Sequence, residues 1–320
     1  MDYQVKKIAM TGGTGPVGMA LINKLLKENI DILLFQREDS PRKSILPQHK
    51  LLQVRYYSLK DLGNYEPEEK DYDVFFHVGW AYTDASQRNN LELQSQNIKY
   101  ACSAAELAHK LGCHTFIGIG SQAECGRHNE KLREDTLCNP ENAYGIMKLC
   151  ACHATQLICK EYGMRHVWPR ILSGYGRYDN IKSVLSTTII KAMNENELHY
   201  SSADQIWDFV HMDDVAQALY LIALRGRDGG RYPIGSGKER PLKEYILILL
   251  EKLRMADKAK FGVIPYREGQ ILYLGADITT LMQDTGWRPQ IEFENGIDTL
   301  INFYMHWSES ERDLYLKVMS

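Results

Sequence analysis

Ile8-Ala9-Met10-Thr11-Gly12-Gly13-Thr14-Gly15-Pro16-Val17-Gly18 joins a short apolar run to a glycine-rich turn. Apolar residues then recur at helical spacing at Val17, Leu21, Leu25 and Leu26, so the pattern changes from strand to helix across the turn. The glycines of Gly12-x-x-Gly15-x-x-Gly18 have separate tasks. Gly12 permits the tight turn, Gly15 lets backbone approach a pyrophosphate, and Gly18 lets the helix pack on the sheet. The helix start adds N–H groups and the positive end of a dipole. A second apolar run at 32–35 supplies the next strand, and the whole unit predicts a bound dinucleotide.

Outward from this unit the pattern repeats. Apolar strands near Ile8, Ile32, Val54, Val74, Phe116 and Val167 alternate with amphipathic helices. That alternation predicts an α/β fold, a Rossmann-like doubly wound parallel sheet with right-handed crossovers. Beyond Ile171 the alternation loosens, and no repeat or Pro/Ser-rich linker marks a boundary.

Tyr144-x-x-x-Lys148 carries the chemistry. The same spacing occurs at Tyr3/Lys7, Tyr56/Lys60 and Tyr178/Lys182, so context must distinguish it. Tyr144 and Lys148 fall near the start of a helix predicted over 141–162, where i and i+4 side chains share a face. The preceding strand, Phe116-Ile117-Gly118-Ile119, ends in Gly120-Ser121, where a parallel sheet presents its carboxyl edge to ligand. A phenol with a pKa near 10 is a poor acid–base group at neutral pH, and a neighbouring ammonium lowers it. Ser121 is placed to hydrogen-bond the same substrate oxygen.

With these residues in place the chain resembles the extended short-chain dehydrogenase/reductase family, especially its nucleotide-sugar epimerases, dehydratases and reductases. Residues 11–18 resemble its cofactor turn. Asp73-Val74-Phe75-Phe76-His77-Val78-Gly79-Trp80 is similar to its fourth strand, which runs under the cofactor. Asn97 falls where the family places a catalytic asparagine, and Pro140-Glu141-Asn142-Ala143-Tyr144-Gly145 resembles the lead into its active-site helix. Arg170-Ile171-Leu172-Ser173-Gly174-Tyr175-Gly176, Trp207-Asp208-Phe209-Val210-His211-Met212-Asp213-Asp214-Val215 and Gly286-Trp287-Arg288-Pro289 are similar to later motifs, in the right order.

The resemblance implies a dinucleotide-binding domain over 1–170. Residues 171–320 would then be mainly a smaller substrate-binding lobe, with some segments returning to the sheet. It implies cofactor contacts from Gly12, Gly13, Thr14, Gly15, Pro16, Val17, Gly18, Arg37, His77, Gly79, Trp80, Tyr144 and Lys148. Ser121, Tyr144, Lys148 and Asn97 form the implied catalytic set, and Gln122, Ser173, Trp207 and Arg267 the substrate contacts.

Departures from the family pattern sharpen the expectation. Gln36 followed by Arg37 stands where NAD users carry an acid for the ribose 2′-OH. A guanidinium pairs with a 2′-phosphate, which favours NADP(H), with NAD the alternative. Dehydratases carry a Thr-Asp-Glu run at the end of strand five; here Ser121-Gln122-Ala123 lacks both carboxylates, and Glu124 is one place out of register. Dehydration is therefore the least favoured of the three chemistries. Cys125 replaces the tyrosine usual before Gly126. Arg267-Glu268-Gly269-Gln270 resembles a diphosphate-binding segment, while Trp207 stands where relatives carry an arginine, leaving the diphosphate to Arg267, Arg177 or Arg231. The leading expectation is an NADPH-dependent reductase of a nucleotide-activated 4-keto-6-deoxyhexose. The alternatives are a 4-epimerase with tightly bound NAD and a non-catalytic dinucleotide sensor.

Composition narrows the partners. A net charge of −3 gives no global pull toward nucleic acid or anionic membrane, and no apolar run is long enough to span a bilayer. Seven cysteines without paired C-x-x-C spacing suggest reduced thiols, no metal and a cytoplasmic protein. Wide apolar faces at 98–111 and 150–158 predict a homodimer built on the helices carrying Asn97 and Tyr144.

Overall fold

A computed structural model describes residues 4–194, 197–267, 269–307 and 312. In chain order the first half runs β1 (Lys7–Thr11), α1 (Pro16–Lys27), β2 (Asp31–Gln36), β3 (Leu52–Tyr56), β4 (Val74–His77), α2 (Leu91–Lys110), β5 (Thr115–Gly118), β6 (Gly120–Ser121), α3 (Ala143–Glu161) and β7 (Arg165–Val167). The second half runs β8 (Arg170–Ile171), β9 (Ser173–Tyr175), α4 (Val184–Ala192), β10 (Leu198–His199), β11 (Ile206–Trp207), β12 (Phe209–His211) and α5 (Met212–Arg225). It finishes with β13 (Pro233–Ile234), β14 (Arg240–Pro241), α6 (Leu242–Lys252), β15 (Ala259–Lys260), α7 (Thr279–Thr285) and α8 (Phe293–His306).

The main sheet has the order β3-β2-β1-β4-β5-β7, and every neighbouring pair is parallel. This is the doubly wound topology expected from the alternation, and its order reverses between β1 and β4. Thr11 is level with Phe35 on one side and His77 on the other, so the Gly12 turn, Gln36 and His77 leave the sheet at one edge. Successive strand residues feed opposite cores, as a period of two requires. Ile8 and Met10 pack with α1 and α5 on one face, while Ala9, Phe75 and Phe116 pack with α2 and α3 on the other.

The second half is woven back in. β6 pairs with β8 and β8 with β13, all parallel, extending the end of β5 by a short three-stranded sheet. A third core gathers α4, α6 and α8 around Tyr175, Phe209 and Tyr245. No described helix is long and apolar enough to cross a membrane.

On the α2/α3 side, rings stack in a row across the sheet: Phe35–Phe75 at 6.3 Å, Phe75–Phe116 at 6.0 Å, Phe116–His166 at 6.0 Å and His166–Trp168 at 5.9 Å. The Trp168 indole ends the row against bare backbone. A Cβ on Gly118 would lie 2.1 Å from it, and one on Gly120 2.6 Å.

The wide apolar face of α2 has a different explanation from the one the sequence suggested. Ala101, Ala104, Ala105, Leu107 and Ala108 are buried in the protein's own core, because α2 packs on the sheet and on α3 at once. They do not form an outer contact face.

Candidate active site

The glycine turn is built by packing. Gly12 has φ +76°, and a Cβ there would sit 2.5 Å from Gly79 N, in the loop leaving β4. A Cβ on Gly18 would sit 2.1 Å from Gly12 O, and one on Gly13 2.7 Å from both Leu34 δ-methyls. Gly15 differs, because its Cβ would meet only Gly12 O, at 3.7 Å. Nothing in the protein requires glycine there, so the open space above it is available to a ligand. Pro16 occupies the first turn of α1, no side chain caps that helix, and its first turn holds no acid. Its leading N–H groups therefore face outward unpaired by side chains, which suits a pyrophosphate.

Neighbouring loops close around this turn. Thr14 Oγ1 lies 3.5 Å from Ser40 Oγ in the loop after β2. Gln36 is buried at the end of β2, whereas Arg37 is exposed and 3.8 Å from Asp39. His77 lies beneath, with Nδ1 3.1 Å from Thr11 Oγ1, and burial pushes its pKa down to about 3. It is a neutral structural imidazole. Gly79 N donates to the same Thr11 Oγ1 at 3.1 Å. Asn97 accepts from Ala81 N at 2.8 Å and donates to Ala81 O at 3.2 Å, so its amide pins the loop that carries Trp80. Trp80 is tied in turn to Gln94, Nε1 donating to Oε1 at 3.0 Å.

Ser121, Tyr144 and Lys148 converge beside this cradle. Asn142 caps α3 by accepting from Gly145 N at 2.8 Å, and a Cβ on Gly145 would sit 2.2 Å from Ala123 O. Glycine there lets the start of α3 press against the Ser121 turn. Ser121 Oγ accepts from Ala123 N at 3.2 Å, which leaves its hydroxyl proton free to donate. Tyr144 N donates to Arg88 O at 3.0 Å, which brings the start of α3 against the loop that carries Arg88. Burial raises the pKa of the Tyr144 phenol, while the Arg88 charge and the neighbouring Ser121 hydroxyl pull it back down. The Arg88 guanidinium stacks over the Tyr144 ring, Cζ 4.1 Å from its centroid. Lys148 is buried, donates to Ile119 O at 2.5 Å and lies 4.0 Å over the Trp80 ring. Burial lowers its pKa to about 7, against the pull of Glu124. The cation nearest the phenol is therefore Arg88, whose loop position carries no sequence signal.

Glu124 is a second residue to which the sequence assigned no role. Its carboxylate accepts from Ser121 N at 2.8 Å, Trp168 Nε1 at 3.0 Å and Arg170 Nε at 3.0 Å, all in the dry interior. It completes a capping box with Ser121. It is thus a support for Ser121 and offers no acid to a substrate.

The substrate candidates are dispersed. Gln122 is half-buried in the turn after Ser121, and Trp207 Nε1 donates to Ser173 Oγ at 2.7 Å. Arg267 is exposed on the loop before Gln270, and among the described residues no hydrogen bond or ion pair ties it to the Ser121 group. Arg231 is engaged by Gln156 at 3.2 Å, and Arg177 stacks on Tyr178 and Phe303. Asp208, in the motif with Trp207, is buried and accepts from Ser236 N, Ser236 Oγ, Gly237 N and Ala276 N at 2.6–3.2 Å. That is a structural knot between loops.

A parallel doubly wound sheet, a glycine cradle and a Ser–Tyr–Lys cluster at its carboxyl edge define a dinucleotide-dependent oxidoreductase fold. The chain belongs to the NAD dependent epimerase/dehydratase family, whose model matches residues 8–235, and it is an enzyme of that family. It is 23% identical to the dTDP-glucose 4,6-dehydratase of Haemophilus influenzae, across 95% of this chain and 99% of that one. It is 25% identical to the dTDP-4-dehydro-6-deoxyglucose reductase of Escherichia coli, across 94% and 98%. Its fold matches the crystal structure of the UDP-glucose 4-epimerase of Thermotoga maritima with UDP-glucose, with a TM-score of 0.82, 21% identity and coverage of 93% and 98%.

Proposed function

We propose that the protein reduces the 4-keto group of a nucleotide-activated 6-deoxyhexose, using NADPH. The observation that carries this reading is the pairing of a free proton-transfer group with a committed carboxylate. Tyr144, buried near Ser121 and beneath the Arg88 guanidinium, stands ready to move a proton, while Glu124 is consumed by Ser121, Trp168 and Arg170. Elimination of water needs a further acid and base, and none stands beside Ser121 among the described residues. When bound, the nicotinamide supplies a hydride to the carbonyl carbon. The protein's part is to hold the carbonyl oxygen between the Ser121 hydroxyl and the Tyr144 phenol, and to pass it the phenolic proton. Arg88 and Lys148 stabilise the phenolate that remains, and Lys148 also holds the nicotinamide ribose. Residues 1–170 serve the cofactor and residues 171–320 most of the sugar nucleotide, with Gln122, Ser173, Trp207 and Arg267 as contacts. A sensor would have no use for Ser121 and Tyr144 so placed.

The deciding assay mixes enzyme, a dTDP-4-keto-6-deoxyhexose and NADPH, and follows nicotinamide absorbance and sugar product together. One NADPH consumed per alcohol formed is expected. Interconversion of epimers without net cofactor loss would overturn the reduction and establish the epimerase. Asp39, close to Arg37, is the one observation favouring that second reading, since a carboxylate in this loop suits the 2′-OH of NAD. Against it, Gln36 is buried, and Arg37 is exposed where a 2′-phosphate would compete with Asp39 for its guanidinium. Arg37→Ala should cost about 1.5–3 kcal/mol of NADPH affinity and leave NADH unchanged. Wild-type protein that binds NADH as tightly as NADPH would refute the preference.

The same proposal includes a cytoplasmic homodimer, paired through the outer faces of α2 and α3. Leu91 and Leu157 on these helices are 59% and 69% exposed, and Cys150 on α3 is exposed as well. Light scattering should give twice the chain mass, falling toward one chain in Leu157→Glu; a single-chain mass for the wild type would exclude the dimer.

A further inference from the structure

The loop that joins Ser121 to Tyr144 begins and ends at a pair of thiols. Cys125 closes the turn after Ser121 and is fully buried; Cys138, shortly before α3, is half-buried and open to small solutes. Asn139 N donates to Cys125 O at 3.1 Å, and Gly126, at φ +76°, has no room for a Cβ beneath Asn139 O, 2.1 Å away. The two ends of the loop are thus stitched side by side, and Cys138 packs against the buried cluster that holds Cys125. On its other side Cys138 Sγ receives a hydrogen bond from Arg170 Nη2 at 3.0 Å. Arg170 Nη1, on the same buried guanidinium, has no acceptor among the described residues.

We propose that Cys125 and Cys138 are a peroxide-sensitive dithiol, Cys138 the attacking thiol and Cys125 the resolving one, which closes a disulfide across the loop linking Ser121 and Tyr144. Cys138, half-buried and touched by Arg170 Nη2, is placed to attack, and the enclosed Cys125 to resolve. The neighbouring Cys125 thiol and the Arg170 charge pull the Cys138 thiol below its usual range against its own burial, while the same neighbour and burial hold the Cys125 thiol up.

The chemistry balances with one hydrogen peroxide. The Cys138 thiolate attacks one peroxide oxygen; an S–O bond forms, the O–O bond breaks and hydroxide leaves. The sulfenic acid oxygen offers the acceptor that Arg170 Nη1 lacks. Cys125 Sγ then attacks the Cys138 sulfur; the S–S bond forms, the S–O bond breaks, and the oxygen leaves as water with the Cys125 proton. The hydroxide takes the proton that Cys138 released on ionising, so two thiols are oxidised and one peroxide is reduced to two waters. The disulfide also removes the thiolate that Arg170 held, and Arg170 is the ion-pair partner of Glu124, which supports Ser121. Oxidation is therefore wired to the candidate site through one guanidinium.

The test treats the full-length protein with equimolar hydrogen peroxide, blocks remaining thiols and maps tryptic peptides. Cys125 falls in 111–127 and Cys138 in 134–148. The expected result is a linked 111–127/134–148 pair, with fragment ions placing the bond at Cys125 rather than Cys113, loss of two titratable thiols, and recovery of both with dithiothreitol. In Cys125→Ser the expected product is a dimedone adduct on Cys138. Oxidation confined to the exposed Cys150, or both peptides recovered fully alkylated, would overturn the proposal. So would a persistent sulfenic acid at Cys138 in the wild type with no linked pair. The wild-type map decides even if the buried serine variant fails to fold.

Discussion

Replacing Glu124 with glutamine tests whether the Ser121 turn rests on a buried charge. Glu124 and Arg170 are 0% and 1% exposed at their side chains, and their Nε–Oε2 distance is 3.0 Å. Glutamine keeps the shape and one oxygen, so Ser121 N and Trp168 Nε1 retain their acceptor. The other oxygen becomes an NH2 group facing Arg170 Nε, donor against donor, and the guanidinium loses its carboxylate partner in a dry environment. Removing one partner of a buried pair costs about 3–5 kcal/mol. A chain of this length has an unfolding entropy near 0.7 kcal/mol/K, so Tm should drop by about 4–8 °C. Scanning calorimetry on Glu124→Gln, Arg170→Met and the double variant reads this directly. The double variant should lose less than the sum of the singles, because neither charge is stranded. A drop below about 1 °C in Glu124→Gln would refute the reasoning, since a solvated pair contributes that little.

Other expectations follow from the same geometry. Tyr144→Phe removes only the ionisable hydroxyl, so turnover should fall by about two to four powers of ten with cofactor titration unchanged; turnover near wild type would sink the assignment. Gly18→Ala should destabilise the fold by about 1–3 kcal/mol, as its Cβ has no room. Gly15→Ala should leave Tm within about 1 °C yet weaken NADPH binding, and unaltered titration in that variant would remove Gly15 from the cofactor site. Lys148 has a folded pKa near 7, below its unfolded value of 10.5, so unfolding takes up a proton between those limits. Stability of the cofactor-free protein should therefore rise with pH across that window, and Lys148→Met should flatten the rise in a Tm–pH series.

The sheet was legible in the sequence because its strands are buried on both faces and bounded by helical periodicity. The glycines were legible because backbone turns leave local marks. Tyr144 and Ser121 could be paired from a strand end and a helix start. Arg88 could not, because its place depends on how the loop after β4 folds over α3, and a lone loop arginine carries no period. Glu124 was visible as Ser121-x-x-Glu124, the pattern of a capping box. Its engagement with Trp168 and Arg170 depends on β8 returning beside β6, through strands of two residues too short to show alternation. The apolar breadth of α2 was misread for a similar reason. A helix wedged between a sheet and another helix needs two stripes, and sequence alone does not say what covers the second.

The meeting of Trp168 with Gly118 and Gly120 bears on how this chain can change over generations. A side chain at either glycine collides with the indole. A smaller residue at 168 would open a hole under both and release Glu124 from one of its donors. Each single step carries a packing penalty that a combined one relieves, so across homologues the three positions should covary as a unit. Substitution records at 118, 120 and 168 would carry this correlation even where the surrounding sheet drifts freely.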